Sequence, residues 1–337
     1  MKNGKFLTMA FESSCDETAV AVVADGREVL SNIISSQIDI FKNYGGVVPE
    51  IAARHHLENI NSVMDEALKE AEVTLEDIDL IGVTNGPGLV GALLIGIATA
   101  KAVAYAADIP IVGVHHIMGH VSANFIEHKE LEPPFAALIV SGGHTNIACM
   151  ESYTDCRVLG ATRDDAAGEA YDKVARVLGL GYPGGPKIDA LAKTGNPGAI
   201  HFKRIMLEKD SFDFSFSGLK TAVLNYMNTQ RQAGNEVNGA DVAASFQQAV
   251  IDVITEKSIA AVKEMGYDKL TVAGGVASNS ALRKSLSDAC HKENIKLYIP
   301  SPVLCTDNAA MIACAAYYKY KNGEDGLDMD AYASLPL

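Results

Sequence analysis

Residues 7 to 34, LTMAFESSCDETAVAVVADGREVLSNII, decide the fold. Three apolar runs lie in this stretch: Leu7–Phe11, Thr18–Val23 and Val29–Ile34. Each reads as a β-strand, and Asp25-Gly26 joins the last two as a hairpin turn. Reading outward, Pro49 to Ala71 has the periodicity of a long amphipathic helix with Pro in its first turn. Thr74-Leu75-Glu76-Asp77 looks like a cap opening a short helix before a strand at Leu80–Thr84. A glycine turn, Gly86-Pro87-Gly88-Leu89-Val90-Gly91, then opens a buried helix that runs to Ala107. A strand at Ile111–Val114 and a helix carrying His116 and His120 complete the first half.

The second half begins after Glu132-Pro133-Pro134 and repeats the grammar. Strands at Phe135–Val140 and Asn146–Glu151 flank Ser141-Gly142-Gly143-His144-Thr145. A helix follows from Asp164 to Leu178, then a glycine- and proline-rich loop at Gly181–Pro186. Ala240–Met265 is strongly helical. Lys269–Ala273 is a strand ending at Gly274-Gly275, before a helix from Asn279 and a strand at Lys296–Ile299. Hairpin strands followed by alternating helices and strands, twice over, predict a duplicated α/β core with a cleft between two lobes. The repeat is one of topology, not of alignable sequence.

At 337 residues the chain has the length of about two domains, and 48% apolar with 21% charged residues is ordinary globular composition. A formal charge of −14 argues against broad nucleic-acid binding by this chain alone, leaving only a local strip such as Lys203, Arg204 and Lys209. Six scattered cysteines without a C-x-x-C pair fit a reduced, cytoplasmic protein. Glu12 interrupts the apolar stretch after Lys2 and Lys5, so no signal peptide is expected. The uninterrupted part of Leu89–Ala107 is twelve residues, which suits a buried helix better than a membrane span.

His116-Ile117-Met118-Gly119-His120 places two imidazoles four apart on one helical face, where one ion can take both. Such a site needs a further ligand from elsewhere. Ile117 stands where a zinc peptidase of the H-E-x-x-H type needs its glutamate. By spacing alone, two histidines lining an ordinary helix fit as well. Gly86–Gly91 formally matches a dinucleotide fingerprint, yet a hairpin precedes it and no acidic residue follows the next strand to hold a ribose. Together with Gly142-Gly143, Gly184-Gly185 and Gly274-Gly275, it suits backbone contact with a nucleotide phosphate. Asp16-Glu17-Thr18 puts acidic groups at the first strand turn. Cys15 reads as a small buried hydrophobe. Asp307, in Thr306-Asp307-Asn308-Ala309, reads as a helix N-cap, and Asp172 and Lys173 as a solvated face.

From Leu7 to about Tyr320 the chain resembles the bacterial tRNA N6-adenosine threonylcarbamoyltransferases. The resemblance rests on Glu12-Ser13-Ser14-Cys15-Asp16-Glu17-Thr18, Tyr44-Gly45-Gly46-Val47-Val48-Pro49-Glu50, Gly86–Gly91, His116–His120 and Val140–Thr145. It continues through Asp165–Lys173, Tyr182–Pro186, Phe214–Thr221, Ala273–Asn279 and Cys305–Met311. Ser13 stands where the family usually has threonine and Phe11 where it has an aliphatic residue, so hydroxyl and apolar bulk are kept.

The resemblance implies an actin-like ATPase (ASKHA) fold. Its lobes would span residues 1–132 and 133–337, the second with a helical insertion and with the C-terminal helix free to rejoin the first. It implies His116, His120 and Asp307 as ligands of one divalent metal, Fe(II) in the first place and Zn(II) as the alternative. Val140, Ser141, Gly142, Gly143, His144, Asp172, Gly185, Asp189 and Asn279 match the substrate-binding positions. Asp16 or Glu17 is expected to take the proton of the incoming amine. The implied reaction moves a threonylcarbamoyl group from threonylcarbamoyl-AMP to N6 of the adenosine 3′ of the anticodon, in tRNAs reading codons that begin with A. A smaller paralogue of the same superfamily and a P-loop ATPase are the implied partners, without a membrane. The helix at Pro49–Ala71 is expected as the heterodimer face, although its apolar stripe fits a core equally. A metallopeptidase and a non-catalytic nucleotide-binding module are the competing readings.

Overall fold

The computed structural model describes residues 4–208 and 211–337, so Lys2 and Lys209 lie outside the described residues. β1 (Leu7–Glu12) is buried along its whole length. β2 (Glu17–Ala24) pairs with it antiparallel, and β3 (Glu28–Ser36) pairs antiparallel with β2. On the other side of β1, β4 (Leu80–Gly86) is parallel, and β5 (Ile111–His115) is parallel to β4. The order across this five-stranded sheet is β3-β2-β1-β4-β5.

The helices of this part are α1 (Ile38–Phe41), α2 (Pro49–Glu70), α3 (Val90–Ala107) and α4 (His116–Glu127). Between α2 and β4, Thr74 and Asp77 form the expected capping box of a single 3-10 turn. Side chains alternate along β1. Leu7, Met9 and Phe11 join a core with Ile60, Val63 and Ala67 of α2 and Leu93, Ile97 and Ala100 of α3. Glu12 faces the opposite way, toward α4, where it meets His116.

The second half carries β6 (Phe135–Val140), β7 (Thr145–Met150) and β8 (Cys156–Ala161), then α5 (Ala167–Val177), α6 (Gly184–Ala192), α7 (Ser217–Gln232) and α8 (Gly239–Met265). After them come β9 (Lys269–Ala273), α9 (Ser280–Lys292) and β10 (Lys296–Tyr298). Its five-stranded sheet has the order β10-β9-β6-β7-β8, with β9 parallel to both β6 and β10. Numbered within its own half, each sheet reads third, second, first, fourth, fifth, so the duplication expected from the sequence is present in the topology.

α10 (Pro302–Cys305) and α11 (Ala309–Lys321) close the chain's helices. Residues up to Pro133 with Met150–Cys156 and Pro300–Leu337 form one compact unit, and Pro134–Cys149 with Arg157–Ile299 form the other. α11 packs across all five strands of the first sheet. At Gly82 a Cβ would come within 2.7 Å of the Ala316 Cβ, so this close approach requires glycine.

Two expectations change. The apolar stripe of α2 (Ala52, Ile60, Val63, Ala67) is spent on the core, together with buried His56. α3 was expected to be buried, but only one face is, because sheet and α2 cover just that side. Val90, Leu94 and Tyr105 on its other face are exposed. By length and composition α3 is, among the described helices, the one apolar enough to cross a membrane. Of the expected basic strip, Arg204 is bound to Asp252 at 2.8 Å.

Candidate functional site

Three consecutive elements place the histidines. His115 ends β5 and caps α4, its Nδ1 accepting from Ile117 N at 3.1 Å. His116 and His120 follow on one face of α4, both buried, with ring centroids 4.6 Å apart. Ile117 between them is buried as well, so no carboxylate stands in a peptidase base position.

Asp307 completes the group from the far end of the chain. Its Oδ1 lies 3.1 Å from His120 Nε2 and 3.5 Å from His116 Nε2. One ligand atom from each residue falls within 4.8 Å of the others. Asp307 is not the N-cap of α11. That role belongs to Asn308, whose Oδ1 accepts from Met311 N at 3.0 Å. With the cap supplied by its neighbour, the Asp307 carboxylate is left to face the histidines.

The donor set fits a divalent cation. Both nitrogens of the buried His120 lack a hydrogen-bond partner, and its 3.1 Å approach to Asp307 is not aligned as a hydrogen bond. Leaving such groups unmatched costs on the order of 1–3 kcal/mol each. Two imidazoles and one carboxylate are a three-ligand set that leaves coordination positions for substrate.

The electrostatics point the same way. Burial alone would hold the His116 imidazole down, but Glu12 and Asp307 carry it up to about 9. Burial raises the Glu12 carboxyl, yet His116 beside it brings the group below its ordinary value. Glu17 is pushed up to about 10, by burial first and then by Asp307 and Asp16. Among the described residues, no Lys or Arg pairs with Glu12, Asp16 or Glu17. The surroundings therefore favour a positive charge between His116 and Asp307.

Asp16 ends the turn between β1 and β2 and Glu17 opens β2, next to this group. His56 of α2 grips that turn, Nδ1 at 2.8 Å from Thr18 Oγ1 and Nε2 at 2.9 Å from Cys15 O. The Cys15 thiol is driven far up by burial, which fits an inert side chain. The Gly86–Gly91 turn packs here too: Leu89 N donates to Ser14 O at 2.8 Å, and a Cβ on Gly88 would meet that oxygen at 2.7 Å. Glu12 and His56 were not among the expected site residues. Their only signal in the sequence is a polar residue at a buried strand or helix position.

In the second unit the expected substrate residues also gather. The loop Val140-Ser141-Gly142-Gly143-His144 is closed by Ser141 N donating to His144 O at 2.8 Å. Gly168 in the first turn of α5 packs against it, its N donating to Ser141 O at 3.1 Å, and Gly274, just after β9, lies close against Val140. Gly142, Gly143 and Gly185 have open space where a Cβ would stand. Asp172 does not form a solvated face: its Oδ1 accepts from Gly184 N at 2.6 Å and so starts α6. Burial raises its carboxyl. Asp189 of α6 accepts from Ser280 Oγ at 2.8 Å and from Gln247 Nε2 at 3.3 Å. Asn279 caps α9. Gln247, buried in α8, bonds both Asp189 and Asn279 and was not anticipated.

Two units of one topology, one with two buried histidines facing a half-buried Asp307 and the other with glycine loops around paired polar side chains, define an actin-like α/β protein with a candidate metal centre. HypF from T. kodakarensis shares the fold, with a TM-score of 0.66 at 14% identity over 94% of this chain. Full-length HypF in a phosphate- and nucleotide-bound form gives 0.64 at 14% identity over 97%. The chain spans about half the length of each HypF, 48% and 47%. The chain belongs to the tRNA N6-adenosine threonylcarbamoyltransferase family, whose sequence profile matches residues 28–314. The enzyme of that name from Clostridium perfringens (strain SM101 / Type A) is 60% identical over 334 residues, 99% of this chain and 98% of the relative. The Clostridium beijerinckii enzyme is 58% identical over the same shares.

Proposed function

We propose that this chain transfers a threonylcarbamoyl group from threonylcarbamoyl-AMP to N6 of the adenosine 3′ of the anticodon in tRNAs reading codons that begin with A. The carrying observation is the approach of His116, His120 and Asp307 in a chain of this family. These three would hold one divalent ion, Fe(II) in the first place and Zn(II) as the alternative. When bound, the ion supplies positive charge against the anhydride's departing phosphate.

The chain's own residues carry the rest. Amides of the Val140–His144 loop and of Gly185 suit the phosphate, since Gly142, Gly143 and Gly185 carry no side chain and have open space beside them. Asp172, Asp189 and Asn279 suit the polar edges of the nucleoside and the threonyl group. The adenine amine attacks the carbamoyl carbonyl, a C–N bond forms, and the C–O bond to phosphate breaks to release AMP. Asp16 or Glu17, beside the His116–Asp307 group, would take the amine proton. An adenine amine is a weak nucleophile, so positioning supplies much of the rate. A loop adenine enters a pocket at modest cost.

The partners follow from the surface. A charge of −14 leaves tRNA binding dependent on others, which suits a smaller paralogue of the same superfamily and a P-loop ATPase. Exposed Leu94 and Tyr105 on α3 and exposed Leu57 on α2 support a heterodimer face on these helices. The six free cysteines support a cytoplasmic location, and α3 is read as a sheet-packed helix, without a membrane.

The test is formation of modified adenosine in tRNA from ATP, threonine and bicarbonate, with the purified chain and the other pathway proteins. Modification should require the chain and stop with a chelator. Full modification without the chain would refute the reading.

A further inference from the structure

We infer that Glu12 is a positioning residue for the cation site: it holds the Nδ1 proton of His116, so that His116 Nε2 faces Asp307 with its lone pair free for a metal. The inference rests on the metal reading proposed above.

The geometry starts in the strand. Glu12 is the last residue of β1, and the alternation that buries Phe11 among α2 and α3 turns Glu12 to the other face. It is 1% exposed. Three groups fix its carboxylate. Ser14 N donates to Oε1 at 2.6 Å, Thr84 Oγ1 donates to Oε2 at 2.6 Å, and His116 Nδ1 lies 3.0 Å from Oε2. Ser14 Oγ lies on the same ring nitrogen at 3.2 Å.

A carboxylate in this network only accepts, so the proton of the His116 contact must sit on Nδ1. The tautomer is thereby set, and Nε2 is the nitrogen able to ligate. That nitrogen stands 3.5 Å from Asp307 Oδ1, an acceptor facing an acceptor, which is the arrangement a cation between them satisfies. Carboxylates behind ligating histidines orient the ring and raise its basicity, and their loss weakens metal binding by about 10- to 100-fold. Thr84 matters through Glu12. Its hydroxyl proton goes to Oε2, which keeps that oxygen turned toward the ring.

The test uses zinc(II) as the probe. Zinc affinity is measured by chelator competition on the metal-stripped full chain, alongside the melting temperature of the stripped protein. Four proteins are compared: wild type, Glu12→Gln, Thr84→Val and His120→Ala. Glutamine has the shape of glutamate, but its NH2 must face a donor either way: Ser14 N if it takes the Oε1 position, or Thr84 Oγ1 and His116 Nδ1 if it takes the Oε2 position. Glu12→Gln should bind zinc about 10- to 100-fold more weakly, and Thr84→Val several-fold more weakly. Wild-type zinc affinity in Glu12→Gln, with or without a drop in the stripped melting temperature, would overturn the inference. If Glu12→Gln does not fold, Thr84→Val decides, and an unchanged affinity there overturns it. If His120→Ala binds zinc as tightly as wild type, the metal reading itself fails, and the two failures are thereby distinguished.

Discussion

Asn279 Nδ2 donates to Gln247 Oε1 at 2.8 Å, while Asn279 Oδ1 accepts from Leu282 N at 2.9 Å. One side chain therefore caps α9 and is locked to α8, with one N–H and one lone pair left for a ligand. Gln247 in turn donates to Asp189. Gln247→Leu should loosen both expected substrate residues at once. Losing such a buried partner costs about 1–3 kcal/mol, so AMP affinity should fall roughly five- to a hundredfold with bound metal unchanged. Calorimetric titration with AMP and metal analysis on the same sample check both halves. Undiminished AMP affinity would remove Gln247 from the site.

The three neighbouring histidines should separate cleanly. His115 works as a cap, so His115→Ala should cost about 1 kcal/mol of stability and leave metal content at wild-type level. His120→Ala should remove metal and transfer activity while the fold persists. Thermal melts and elemental analysis distinguish the two. Full metal in His120→Ala would refute the ligand assignment.

The exposed face of α3 is expected to be an association surface and not a folding element. Leu94 is 46% exposed and Tyr105 83% exposed. Leu94→Glu and Tyr105→Ala should each change stability by no more than about 0.5 kcal/mol. Both should lose the complex with the smaller paralogue in gel filtration. An intact complex in the double variant would move the interface elsewhere.

His56 should make stability depend on pH. Burial holds its imidazole below the ordinary 6.5. The unfolded chain then takes up a proton more readily than the folded one, so the contribution is present above 6.5 and is lost as pH falls through the lower folded value. Urea midpoints taken from about pH 7.5 down to about pH 5.5 should fall for wild type and fall less for His56→Gln. Parallel curves would mean that His56 does not drive the loss.

Local pattern made much of this fold legible. Alternation along Leu7–Phe11, the hairpin at Asp25-Gly26 and the capping box at Thr74 are each written within a few residues, and each stands as expected. The i, i+4 pair His116 and His120 follows from helical spacing alone. Where the pattern misled, a distant partner had intervened. The helix expected from Asp164 begins at Ala167, because Asp164 instead accepts from Phe216 N and Ser217 Oγ at the start of α7. Gly181–Pro186 was expected to be loop, but α6 starts inside it at Gly184, held by Asp172. α7 itself went unread, since only Leu219 and Val223 on it are buried and its periodicity is faint.

Sequence by itself determined the strands, the main helices, the doubled topology and, through resemblance, the family. Tertiary structure alone decided which polar residues meet. Glu12 reaches His116 across 104 positions, and Asp307 approaches both histidines only because α11 packs back on the first sheet. Asn308 and Asp307 are adjacent acidic or amide residues before one helix, and only packing shows which is the cap and which faces the histidines. The reason is physical. Backbone propensity and apolar periodicity are local and repeat along the chain, whereas a hydrogen bond or ligand contact between distant segments leaves no period to read.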